Sequence, residues 1–67
     1  MTLANNIRKY RRERNLTINQ LALEIGVDYS QIGRMERGTI NPNISIIYDI
    51  AQVLKIEPYL LLIKENQ

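Results

Sequence analysis

The residues of this chain that can act on a partner are its cations. Arg8, Lys9, Arg11, Arg12 and Arg14 crowd into the run RKYRRER, and Arg34 and Arg37 follow further along. Residues 1–38 hold seven Lys and Arg against four Asp and Glu, a local charge of +3, whereas residues 39–67 sum to −1. The formal total of +2 therefore hides a basic half. Such an asymmetry is the electrostatic footprint of a surface that meets phosphate. The run RKYRRER taken alone reads equally well as a solvated helix face. Other chemistry lacks its residues. The sequence contains no His and no Cys, which removes Ser-His-Asp and Cys-His nucleophiles, disulfides and the usual structural zinc sites. Seven carboxylates are present, but none stands paired in a motif, and no glycine-rich phosphate loop occurs. The expectation is a protein that is not an enzyme and uses no cofactor and no metal.

The elements that must position those cations are few. At 67 residues the chain reads as a single domain, 1–67. A chain this short buries only about 60% of its unfolded surface, so its core is small. The N-terminal MTLANNIRKYRR has no apolar stretch of the ~7–15 residues a secretory signal needs. The longest apolar run near the C-terminus, Leu60-Leu61-Leu62-Ile63, is far below the ~20 residues of a membrane span. The expected setting is cytoplasmic, without a membrane partner, and the missing Cys fits a reducing compartment.

Hydrophobic spacing reads as all-α. Leu3, Ile7 and Tyr10 recur at helical spacing in a first helix over 3–14. Thr17-x-x-Gln20 is a capping box that opens a second helix, along which Ile18, Leu21, Ala22 and Ile25 form one apolar stripe. Gly26 closes it. Asp28-x-x-Gln31 reads as a second box, and Asp28 suits the positive end of a helix dipole. The third helix runs to Glu36 with Ile32 and Met35 inward. Arg37 to Pro42 is a turn-rich connector. Asn43 caps a fourth helix whose buried face is Ile44, Ile47, Ile50, Ala51 and Leu54. Lys55 stands where a Gly would be ideal, and Pro58 opens a short fifth helix, Pro58–Lys64.

Two short, separately capped helices joined by a Gly-containing turn, at about 17–36, have the sequence form of a helix-turn-helix. The flanking residues sharpen this. Leu16-Thr17-Ile18-Asn19-Gln20-Leu21-Ala22, Ile25-Gly26-Val27, Ile32, Met35-Glu36-Arg37-Gly38 and Asn41-Pro42 together resemble the helix-turn-helix family of phage repressors and Cro proteins, from Ile7 to about Leu62. The Glu-Arg-Gly then Pro element is the most specific part. The resemblance implies a five-helix repressor-like domain that binds double-stranded DNA in a sequence-specific way. It implies a transcriptional regulator, a repressor or autoregulator of the phage-repressor, restriction-modification controller or antitoxin type.

The resemblance also implies roles. Arg11 and Glu36 match a structural salt bridge, Gly26 the turn glycine, and Ala22 the small residue that lets two helices approach. Tyr29, Ser30, Gly33 and Arg34 match positions that face base edges. Arg34 can donate twice to guanine O6 and N7 or hold a phosphate. Tyr29 either meets a thymine methyl or phosphate, or folds back on the protein. Gly33 either permits close approach to DNA or is a tolerated helix defect. Thr17, Asn19, Arg37, Thr39 and Asn41 match phosphate contacts; Thr39 and Asn41 also fit a purely structural turn. Three departures stand out: Ile18 replaces a frequent DNA-contacting Gln, Asp28 a frequent Ser or Thr, and Lys55 a frequent Gly.

One such domain touches few base pairs, and family members pair about a two-fold axis on a palindromic operator. Ile46, Tyr48 and Val53 lie off the buried stripe of the fourth helix, and the run at 60–63 is apolar all round. The expectation is a homodimer through a region at about 44–64, with Ile46, Ile47, Pro58, Tyr59, Leu61 and Leu62 as interface residues. The alternative is a protein-interaction module, such as an antitoxin masking a toxin, with DNA binding secondary.

Overall fold

The computed structural model describes residues 2–64. Four α-helices follow in order: α1 Thr2–Glu13, α2 Ile18–Ile25, α3 Tyr29–Arg37 and α4 Ile44–Leu54. A single 3-10 turn, Pro58–Leu61, stands after them. The fold is all-α, and the fifth helix expected over Pro58–Lys64 is this shorter turn. The expected segment is under two α-helical turns long, too short to offset nucleation, and it closes instead with the tighter i→i+3 bonds, Leu60 N–H to the Glu57 carbonyl at 3.0 Å and Leu62 N–H to the Tyr59 carbonyl at 2.9 Å.

The local signals act largely where the sequence puts them. Thr17 Oγ1 accepts from the Gln20 N–H at 3.0 Å while Gln20 Oε1 accepts from the Thr17 N–H at 2.8 Å, a complete capping box. Gly26 ends α2 at φ 90°, a left-handed conformation with no atom where a Cβ would sit, so backbone conformation rather than space calls for glycine. Asp28 is the N-cap of α3, yet its side chain makes no capping bond, so the second box does not form. Only its carbonyl engages the first turn, accepting from the Gln31 N–H at 3.0 Å. Asn43 Oδ1 caps α4 on the Ile46 N–H at 2.9 Å. Lys55 closes α4 at φ 58°, the left-handed geometry for which Gly is favoured.

The core gathers Ile7, Leu21, Ala22, Ile32, Met35, Ile47, Ile50, Ala51, Leu54 and Leu61. Leu3, Tyr10, Ile18 and Ile25 are partly buried against it. Ile44 departs from expectation: it lies on the spacing of the α4 stripe but is exposed. As the first residue of the helix, its side chain leans back past the N-terminus, where no element covers it. Helix α3 packs against both α1 and α2, and α4 packs against α2 and the 3-10 turn.

Candidate nucleic-acid interface

Helix α3 is held by its inner side. Ile32 and Met35 enter the core, and Glu36 is buried beside Arg11 of α1. Arg11 Nε donates to Glu36 Oε2 at 2.6 Å and Nη2 to Oε1 at 3.0 Å. Arg11 Nη1 donates to the Leu16 carbonyl at 2.7 Å. The paired forks fix the azimuth of α3 on α1 as well as its distance, because both parallel bonds need the two planes aligned. Ala22 of α2 is buried in the core, and α2 packs on both α3 and α4.

The opposite side of α3 carries Tyr29, Ser30, Arg34 and Arg37, all exposed. Among the described residues, neither Arg34 nor Arg37 pairs with a carboxylate, since the neighbouring Glu36 is taken by Arg11. Tyr29 is 62% exposed and does not fold back onto the protein. Gly33 is placed differently from the expectation of a bare backbone open to DNA. It is buried, and a Cβ built there would meet Arg37 Nη1 at 3.3 Å. The Arg37 side chain leans over the turn N-terminal to it, as helical side chains do, and covers the glycine.

The flanks of α3 bring the remaining residues to the surface. Thr17, Asn19, Thr39 and Asn41 are exposed. The Thr17 hydroxyl accepts the capping bond and keeps its proton for a further acceptor. Thr39 Oγ1 donates to the Arg34 carbonyl at 3.1 Å, a helix-closing bond. Its hydroxyl proton is therefore engaged within the protein. Ile18 is half-buried and lines an open cleft of about 270 Å³ with Tyr29, Ser30, Gly33 and Arg37.

On α4 and beyond, two expected interface residues lie in the chain's own core. Leu61 is wholly buried and Ile47 nearly so, because the 3-10 turn folds back onto α4. Neither side chain is free to meet a second molecule. Ile46 and Pro58 are half-buried, while Tyr59 and Leu62 are exposed, together with Ile44, Tyr48 and Ile63. Sequence reasoning missed Asn6. It is buried on α1, and its Nδ2 donates to the carbonyls of Leu60, Leu61 and Ile63 at 3.3, 2.9 and 2.8 Å. A lone Asn in a helical run gives no signal for a partner more than fifty residues away.

Among the described residues, no helix is long and apolar enough to cross a membrane. Known proteins resemble this arrangement along most of its length. The helix-turn-helix family model matches residues 7–61. The HTH-type transcriptional regulator SlrR of Bacillus subtilis is 38% identical over 52 residues, covering 76% of this chain and 34% of SlrR. The chain thus spans about a third of that relative's length. The restriction-modification controller protein C.AhdI of Aeromonas hydrophila superposes with a TM-score of 0.86 at 33% identity, covering 90% of this chain and 91% of C.AhdI. The N-terminal DNA-binding domain of SinR from Bacillus subtilis gives 0.89 at 27% identity, covering 98% and 97%. An α2–turn–α3 unit whose α3 is clamped to α1 by Arg11 and Glu36, with an exposed polar face on α3 and these relatives beside it, places the chain in the helix-turn-helix family of DNA-binding transcriptional regulators.

Proposed function

We propose that this protein represses transcription, including that of its own gene, by binding a palindromic double-stranded operator as a homodimer. Helix α3 enters the major groove, and Tyr29, Ser30 and Arg34 face the base edges. Thr17, Asn19 and Asn41, with the N–H groups at the start of α2, meet the phosphates on either side. Thr39 contributes through the loop it closes.

The observation that carries this reading is the contrast between the two sides of α3. One side is fixed by a bidentate buried ion pair, and the other presents arginines without carboxylate partners. A rigid helix with unspent donors suits recognition of a surface rich in acceptors. The likeness to C.AhdI, a controller protein, and to the SinR DNA-binding domain supports a DNA-binding regulator.

Selection from a random duplex pool tests the reading. The chain should enrich a two-fold symmetric site, and its affinity should fall steeply with salt as Lys and Arg displace counterions. Replacing Arg34 by Ala should cost about 1–3 kcal/mol on the selected site and relax the preference at one base position. Recovery of no common sequence, with equal weak binding to all duplexes, would sink the proposal. A second reading, docking of a protein partner such as a toxin, is favoured by the exposed Ile44, Tyr48, Tyr59 and Leu62. A partner that co-purifies while no DNA shift appears at low salt would decide for it.

A further inference from the structure

Gly33 is a puzzle at first sight. It stands in the middle of a nine-residue helix, where Gly is about 1 kcal/mol worse than Ala. It adopts no left-handed conformation that would demand it. What it does have is a neighbour: the Arg37 guanidinium rests on it, with Nη1 3.3 Å from where a Cβ would lie. That is closer than an ordinary van der Waals contact. A Cβ at 33 would oblige the guanidinium to give way by a few tenths of an ångström.

The resting place is not the flanking loop. Arg37 shares one open cleft with Ile18, Tyr29, Ser30 and Gly33, that is, with residues on the exposed side of α3 and the start of α2. No carboxylate among the described residues holds it there. Its donors are therefore unspent, and its fork matches the O6 and N7 acceptors of guanine.

We propose that Gly33 is the seat of a second base-reading arginine: by lacking a Cβ it lets the Arg37 guanidinium lie close against α3, from where it donates to a guanine edge. Gly33 is then a positioning residue, and Arg37 reads sequence beside Arg34 instead of only holding phosphate. The proposal rests on the reading of α3 as the helix that enters the major groove.

The test is a double-mutant cycle on the duplex selected by the wild-type chain, with a scrambled duplex alongside. Wild type, Gly33→Ala, Arg37→Ala, Arg37→Lys and the Gly33→Ala/Arg37→Ala double are titrated by fluorescence anisotropy and melted. Gly33→Ala should melt ~4–8 °C higher through helix propensity. It should nonetheless bind the selected duplex roughly three- to tenfold more weakly, because a shift of tenths of an ångström loosens a bidentate contact. Arg37→Ala should lose on the order of ten- to a hundredfold on the selected duplex. Arg37→Lys, which keeps the charge without the fork, should lose selectivity and retain scrambled-duplex affinity. The double should bind no more weakly than Arg37→Ala. Undiminished loss from Gly33→Ala in the Arg37→Ala background would mean that the glycine acts directly, and would overturn the proposal. Equal losses on both duplexes would make Arg37 a phosphate contact and overturn it as well. Failure of the wild type to enrich any duplex would overturn the proposed function, and this inference with it.

Discussion

The buried Arg11–Glu36 pair is the most consequential pair of residues in the chain. Both forks are satisfied: the carboxylate accepts twice, and the remaining guanidinium nitrogen donates to the Leu16 carbonyl. Replacing one partner leaves the other charged, enclosed and unpaired, which typically costs 3–5 kcal/mol. Against the ~5 kcal/mol total expected at the low end for native domains, that is most of the stability. Arg11→Ala should therefore lower the urea midpoint drastically, whereas the double change Arg11→Met/Glu36→Leu should recover most of it. A single Arg11→Ala variant that melts like wild type would show the pair to be dispensable. Asn6 acts on the same scale. Its amide ties α1 to three carbonyls at the end of the chain's fold. Losing a buried donor leaves those acceptors unsatisfied, so Asn6→Ala should cost about 1–3 kcal/mol by the same denaturation measurement.

At the scale of elements, the two N-caps of the helix-turn-helix make opposite predictions. Thr17 completes its box, so Thr17→Ala should destabilise by about 1 kcal/mol. Asp28 makes no capping bond through its side chain. Asp28→Asn should therefore cost no more than the ~0.3–1 kcal/mol of its helix-dipole interaction and raise DNA affinity several-fold, because a carboxylate at the start of α3 repels phosphate. Thermal melts and anisotropy titrations of the two variants check both halves. The same elements show where sequence was legible. Thr17, Gly26 and Asn43 act through their immediate neighbours, and the stripes Leu21–Ala22 and Ile47–Ile50–Ala51–Leu54 follow from helical periodicity, so all are readable locally. Ile44 falls on the stripe yet stays exposed, because periodicity ignores that a helix begins there. The missing Asp28 bond, the Asn6 clamp and the Arg37–Gly33 contact depend on side-chain direction and on tertiary neighbours, which spacing does not encode. The Arg11–Glu36 pairing is not derivable from the two residues alone; only the family resemblance implies it.

At the scale of the molecule, dimensions argue for two copies. The described chain measures 31 × 24 × 20 Å between Cα extremes. Successive half-sites on one face of B-DNA lie ~34 Å apart, so a single copy presents its one α3 to one half-site only. In the proposed homodimer, a second copy related by a two-fold axis supplies the other. Apart from Leu23 on α2 and Tyr29 on α3, the exposed large apolar side chains sit on α4 and after it, in the half of the sequence whose charge sums to −1, where self-repulsion is least. Leu61 and Ile47 are spoken for by the core, which leaves Leu62, Tyr59 and Tyr48 to meet a partner. Leu62 is 52% exposed, so Leu62→Glu removes little core burial and should leave the fold intact. It should nevertheless convert a dimer to a monomer in sedimentation velocity. It should also weaken binding to the full palindrome far more than to an isolated half-site, because only the full site uses the linkage between two heads. A wild-type chain that sediments as a monomer at high micromolar concentration, and binds half and full sites alike, would refute this arrangement. In that case sequence discrimination would have to come from a single α3.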